Sequence, residues 1–237
     1  NVQENQTVTA GYDIDTYTVE FKYGQTVLKT QTVAHGSDAE APTPATVTGY
    51  YFVEWDTEYT NVTQNLTVNA VYEIRTYTVT FENWNGAELD TQTVDHGDPA
   101  IAPADPTRPN ETIGDETYSY IFSGWSTTFT SITADLTVTA QYSVSSISGT
   151  STTFTIPSTM DDVLPGTFSG MPNLTQIDVD EDNQNYSSND GLLYDKDQTT
   201  LVAVPAGKTG TITLPTTLTI IGERAFENST LLEVILP

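Results

Sequence analysis

Two heptapeptides, TQTVAHG at 30–36 and TQTVDHG at 91–97, hold the only histidines of the chain, His35 and His96. Histidine titrates near neutrality and is the commonest general base and a frequent metal ligand. A duplicated histidine therefore raises the question of catalysis first. Base catalysis needs a partner within hydrogen-bond reach. Each copy supplies a single His, at the end of an alternating stretch and directly before a Gly that permits a positive φ. The two rings stand 61 residues apart in separate repeats and do not converge. The expected role is structural, a ring capping a strand end.

Other concentrations of reactive groups fail comparable tests. DVDEDNQN at 178–185 gathers carboxylates. Counted from Asp178, an EF-hand loop needs Gly sixth and Glu twelfth, where Asn183 and Asn189 stand. A loose calcium site near Asp178–Asp182 stays open beside the plainer reading of a solvated turn. LPTTL at 214–218 has the outline of a sortase signal without its Gly or apolar tail. No G-x-S-x-G elbow is present, and Lys22, Lys29, Lys196 and Lys208 lie in no crosslink motif. The sequence therefore nominates no catalytic, cofactor-binding or metal-binding residue, no cofactor, and no enzyme.

The elements behind these motifs are β-strands. Thr is the commonest residue and there are 13 tyrosines, types that favour half-buried pleated surfaces. Tyr17, Val19 and Phe21 alternate with Thr16, Thr18 and Glu20; Tyr77, Val79 and Phe81 repeat the pattern. Leu66, Val68, Ala70 and Tyr72 share one face, as do Leu136, Val138, Ala140 and Tyr142. Period two predicts half-buried strands, read as antiparallel. Asn85-Gly86 marks a tight turn. Tyr50 and Phe52 share a parity that Trp55 breaks, so a β-bulge near Val53–Glu54 is expected, and another near Ser123–Gly124. Tyr17 matches Tyr77 at an offset of 60, whereas Trp55 matches Trp125 at 70. The second unit is thus longer, through a Pro-rich stretch between Pro99 and Tyr120 that reads as a loop insertion.

YTVTF, TQTVDHG, a Pro-rich crossing, GYYFVEW or SYIFSGW, and a closing LTVTAQY together resemble the internalin B-repeat, or Listeria–Bacteroides repeat, over residues 16–142. Glu54 stands where that family usually has Gly, and His35 and His96 where it has Tyr. The resemblance implies small β-grasp-like, ubiquitin-like modules on a bacterial surface, without catalysis. Beyond SVSSISGTS the pattern changes. Phe168 matches Phe226, and Leu174, Ile177 and Val179 match Leu231, Val234 and Leu236. This spacing is that of a solenoid strand. DGLLYDKDQTTLVAVPAGKTG and IGERAFENSTLLEVILP resemble BspA-like leucine-rich repeats over about residues 150–237.

The expected fold class is mainly β: tandem β-grasp-like repeat modules followed by a partial leucine-rich-repeat solenoid. The expected domains are the end of a preceding repeat (1–14), module 1 (15–75), module 2 (76–143) and a truncated BspA-like region (144–237). Opening and closing inside repeat units, the chain reads as a piece of a longer protein.

With 32 acidic and 7 basic residues the formal charge is −25, which disfavours nucleic acid and anionic membrane. There is no Cys, hence no disulfide or thiolate site. No apolar run is long enough to insert in a membrane. The expected function is a non-enzymatic extracellular segment, a stalk plus a leucine-rich adhesive region of a bacterial adhesin-like protein, attached to the cell wall through other regions. The alternatives are pure spacer repeats or an ancillary region of a secreted enzyme. The expected partner is a surface protein or glycan of a host or neighbouring cell. The segment itself is expected to be an extended monomer, with Trp84 foremost among its exposed contact aromatics.

Overall fold

The computed structural model describes residue 7 and residues 9–236. Residues 1–6 and 8, half of the segment read as the end of a preceding repeat, lie outside the described residues. Every regular element among those described is a strand.

One compact unit runs to Val79 and takes in Gln92–Ala100 and Thr130–Leu136. Its sheet has the order β2-β1-β4-β3. It is built from β1 (Thr16–Tyr23), β2 (Thr26–Ala34), β3 (Tyr50–Trp55) and β4 (Leu66–Ile74). β1 turns through Gly24 into antiparallel β2, and β3 pairs antiparallel with β4. The two central strands, however, are parallel, with Val19 opposite Leu66 and Phe21 opposite Val68. The antiparallel expectation fails at this pair. Alternation has period two in either pairing, whereas a parallel pair only requires a long crossover. The crossing at 35–49 together with β3 supplies that crossover and gives the β-grasp order.

One face of this sheet is covered by loops where a helix would otherwise lie. Ala39 and Val62 from two loops join Val19, Phe21, Val33 and Val68 in a buried core, with Trp55 and Tyr59 packed against it. Phe21 is fully buried and meets Trp55 and Tyr59 edge-on at ring separations of 4.9 and 5.3 Å. Burying such a side chain stabilises by ~1.5–3 kcal/mol. The register shifts between Phe52 and Glu54, so the bulge lies where the broken parity placed it.

The next sheet has the order β6-β5-β9-β8-β7. Its strands are β5 (Thr76–Glu82), β6 (Glu88–Asp95), β7 (Glu111–Ile113), β8 (Glu116–Trp125) and β9 (Leu136–Gly149). The expected second bulge is present, between Phe122 and Gly124. The extra residues of this repeat do not form a plain loop. They build β7 and the beginning of β8, whose residues Glu116 to Ser119 pair with Gly149 to Ser146 of β9.

The second compact unit comprises Thr80–Thr91, Ile101–Phe129 and everything from Thr137. In it β9 passes without a break into the leucine-rich region, and Ile147 joins Ile156, Phe168, Met171, Leu174, Ile177 and Leu193 in one buried core. β10 (Thr153–Ile156) runs parallel to β11 (Gln176–Val179). The insert hairpins β12 (Tyr186–Asn189), β13 (Leu192–Asp195) and β14 (Thr200–Ala203) follow. β14 pairs parallel with β16 (Ile220–Ile221), and β15 (Thr211–Thr213) with β17 (Glu233–Ile235). Leu192, Tyr194, Leu201, Ile212 and Leu214 form a second core, with Phe226, Leu231 and Val234 packed on it. Leu232 and Leu236 of the last unit are exposed.

Candidate ligand-binding cleft

Both histidines directly follow their returning strands, before Gly36 and Gly97 at φ +78° and +90°. The His35 amide donates to the Asp15 carbonyl, and the His96 amide to that of Arg75. Each ring tilts against its own repeat's tyrosine, Tyr17 or Tyr77. His96 does more than cap a strand. Its ring lies over Gly49 of the preceding repeat, so close that a Cβ there would stand 2.3 Å from the ring. The Arg75 amide donates to the Gly49 carbonyl, its Nε to the Tyr50 carbonyl, and its guanidinium lies over the Tyr51 ring. The duplicated histidine position is thus a joint between successive repeats. The motif alone could not show this, because Gly49 belongs to the neighbouring unit.

The acidic run is organised around an amide. Asn183 is fully buried; its Nδ2 donates to the Pro157 and Met160 carbonyls, and its Oδ1 accepts from the Asn185 and Tyr186 amides. The Asp178 carboxylate accepts from Gln176, and Asp180 from the Asp182 amide. Asn183, the residue that spoils the EF-hand pattern, locks the loop 157–163 against the solenoid. Among the described residues no three His, Asp or Glu side chains gather to hold a metal.

That locked loop forms one wall of a cleft of about 350 Å³. The opposite wall is the face of β8 and β9 that carries Tyr118, Tyr120, Tyr142 and Val144. Burial pushes the phenols of all three tyrosines above their ordinary value, so they are neutral donors near neutral pH. Arg108, from the longer crossing, lies 3.6 Å over Tyr120 and 5.6 Å over Trp84. Its Nη2 meets the Glu111 carboxylate at 3.0 Å, and the Tyr120 hydroxyl donates to the same oxygen. The Tyr142 hydroxyl donates to Asn83 Oδ1, and Asn83 Nδ2 to the Thr107 carbonyl. Ser143 Oγ donates to Asp162 Oδ2 at 2.8 Å and ties the two walls together. Pro157, Thr159 and Asp161 line the cleft from the loop wall.

Of these residues, the sequence singled out only Trp84 as a contact candidate, and placed Tyr142 on the shared face of its strand. Tyr118, Tyr120 and Arg108 were concealed in a segment that reads as a loop. The available signal was alternation: Tyr118, Tyr120 and Phe122 continue the period of a strand upstream of the repeat motif.

Comparison with known proteins fits this architecture. The Listeria–Bacteroides repeat domain model matches residues 17–74 and 77–154, and the BspA type leucine rich repeat region matches 206–237. A provisionally named membrane protein of Evansella cellulosilytica is 27 % identical over 135 residues, covering 52 % of this chain and 19 % of that protein. A provisionally named Gly-rich membrane protein of the same organism is 23 % identical over 153 residues, covering 60 % and 18 %. The chain therefore spans about a fifth of the length of these relatives. Among solved structures, the pneumococcal vaccine antigen PcpA is 28 % identical at a TM-score of 0.33, over 35 % of this chain and 21 % of that one. A leucine-rich repeat protein of Eubacterium ventriosum has the same identity and TM-score over 35 % and 23 %. SHIRT domains 3–4 of a streptococcal cell surface protein are 22 % identical at a TM-score of 0.25, over 55 % and 98 %. No helix among the described residues is long and apolar enough to cross a membrane. With more than half of its residues matched in two tandem copies, the chain belongs to the Listeria–Bacteroides repeat family, here joined to BspA-type leucine-rich repeats.

Proposed function

We propose that this chain is a non-enzymatic extracellular segment of a bacterial cell-surface protein, in which the two repeats act as a stalk and the leucine-rich region presents a ligand surface. One observation carries the reading. The first repeat is stitched to the next through backbone bonds on both sides of Arg75, at 2.7 Å to the Gly49 carbonyl and 2.8 Å from the His96 amide, with no flexible linker. Few-residue joints that are hydrogen-bonded and covered by a ring resist bending, as a spacer requires. The chemistry agrees, because each histidine ring lies against the tyrosine of its own repeat and the His96 ring also covers Gly49 of the preceding one. The preformed cleft beside β9 favours a ligand-presenting role over a bare spacer. A net charge of −25 keeps such a segment soluble and repels anionic surfaces.

The test is made on intact cells of the source organism. Antibodies raised against residues 1–237 should label them without permeabilisation, and external protease should remove the signal. Labelling that appears only after lysis would overturn the surface reading.

A further inference from the structure

We propose that the cleft between the β8–β9 face and the 157–163 loop binds a neutral saccharide. The proposal rests on the ligand-presenting reading above and deepens it to a ligand class. At about 350 Å³ the cleft falls at the low end of the ~300–1,000 Å³ typical of small-molecule sites.

Three properties point the same way. The first is preorganisation. One wall is held by Asn183 on the Pro157 and Met160 carbonyls and by Asn185 Nδ2 on the Asp161 carbonyl at 3.1 Å. The other is held by the Tyr142–Asn83 bond and by Arg108 clamped between Glu111 and Tyr120. Ser143 and Asp162 join the two. Little ordering cost then remains at binding.

The second is the distribution of groups. Aromatic rings pave one wall, whereas Thr159, Asp161 and Asp162 place hydroxyl and carboxylate oxygens on the other. A pyranose has an apolar face of C–H bonds and a rim of hydroxyls. It can lay the face on Tyr118 or Tyr142, the cleft tyrosines that Arg108 does not cover, and direct its O–H donors to carboxylates, which form the stronger, charge-assisted hydrogen bonds.

The third is charge. A cationic ligand would meet the guanidinium of Arg108, which already occupies the rings of Tyr120 and Trp84. An anionic ligand would meet Asp161 and Asp162, with the guanidinium already neutralised by Glu111 at 3.0 Å. A neutral polyol is complementary to both signs.

The experiment titrates the 237-residue chain in solution, so that its outcome is independent of where the protein resides. Probes are cellotetraose, maltotetraose, tetra-N-acetylchitotetraose and lacto-N-neotetraose, with a hyaluronan oligosaccharide, choline and a polyproline peptide as competing classes. Binding is followed by tryptophan fluorescence and, to place it, by amide chemical shifts of Tyr118, Ser143 and Asp162. At least one neutral tetrasaccharide should bind with a Kd at or below about 1 mM and move those resonances. Asp161→Ala and Tyr118→Ala should each weaken it about fivefold or more. Asp161 is exposed, so its variant keeps the test valid should Tyr118→Ala fail to fold. Silence from all four neutral sugars at about ten times that Kd would overturn the proposal, because the site would then be nearly saturated. So would shifts confined to other residues, or tighter binding of choline, hyaluronan or the peptide in the cleft. Sugar binding by a protein found inside the cell would instead sink the surface reading and keep this one.

Discussion

The two repeats share one aromatic lattice and end differently. In the first, Phe21 and Phe52 both meet Trp55, and Phe52 meets Tyr72; in the second, Phe81 and Phe122 both meet Trp125, and Phe122 meets Tyr142. The lattice is kept because each repeat must close its own core without a helix. The polar details are exchanged. Asp56 accepts from the Asn69 amide and side chain in the first repeat, where Ser126 accepts from the Thr139 amide in the second. After Ile74 the chain turns at Arg75 into the next repeat, whereas after Val144 the strand continues to Gly149 and delivers Ile147 to the leucine-rich core. An invariant core with variable exits lets one module be followed either by a copy of itself or by a different fold.

The strongest challenge to this comparison is to empty the two cores one at a time. Phe21→Ala and Phe81→Ala each remove a fully buried ring, and each should cost its repeat ~3–5 kcal/mol. If the cores are separate, Phe21→Ala unfolds the repeat reported by Trp55 and leaves the Trp125 transition in place, as read by single-tryptophan fluorescence in urea. A common shift of both transitions would show one cooperative core.

A smaller effect should come from the exits. Gly49 has φ +78° and the His96 ring above it, so Gly49→Ala should destabilise by ~1–3 kcal/mol through backbone strain and displacement of the ring. His96→Ala in the same protein should relieve the ring part alone, and thermal unfolding of the single and double variants separates the two. The histidines themselves should then differ. His35 is exposed and His35→Tyr should stay within ~0.5 kcal/mol, whereas His96→Tyr has to refit against Gly49 and should shift stability measurably.

The bulges give a third contrast. Gly124 has φ +141° with open space around its Cβ position, while the matching Glu54 shows no positive φ. Gly124→Glu should therefore cost ~1–3 kcal/mol by strain alone, and Glu54→Gly well under that. Equal costs in calorimetry would mean that the two bulges are conformationally alike.

The smallest effect is in acid. The hydrogen bonds from Asn69 hold the Asp56 carboxyl below the usual carboxylate range. A lowered native pKa means that the stabilisation is fully present above the unfolded-state value of ~4 and is lost as pH falls through the native value. The first repeat should thus lose this contribution below about pH 4, and Asp56→Ser, which installs the second repeat's hydroxyl, should remove that part of the pH dependence. An unchanged pH profile would show that the clamp is not coupled to folding.

Much of this was legible in the residues. Alternation placed the strands, broken parity placed both bulges, and the Phe–Leu–Ile spacing marked the solenoid. The failures share a cause. Period two is the same in parallel and antiparallel pairs, so Val19–Leu66 pairing left no mark. Gly49 and His96 carry their meaning only once brought together. The stretch between Pro99 and Tyr120 looked like a loop because its strand pairs with residues beyond the repeat motif, Ser146 to Gly149.

By itself, then, the sequence determined what each segment could bury: which faces are apolar, where a turn or bulge must fall, and that its two histidines belong to separate copies of one module. These are local consequences of side-chain type and chain period. Tertiary structure alone decided which buried faces meet and what their meeting leaves open. Arg108 on Tyr120, Ser143 on Asp162 and Asn183 under the 157–163 loop join positions 12 to 26 residues apart. The cleft exists because β9 runs past the end of its repeat into the solenoid core, bringing together side chains from segments that are distant along the chain.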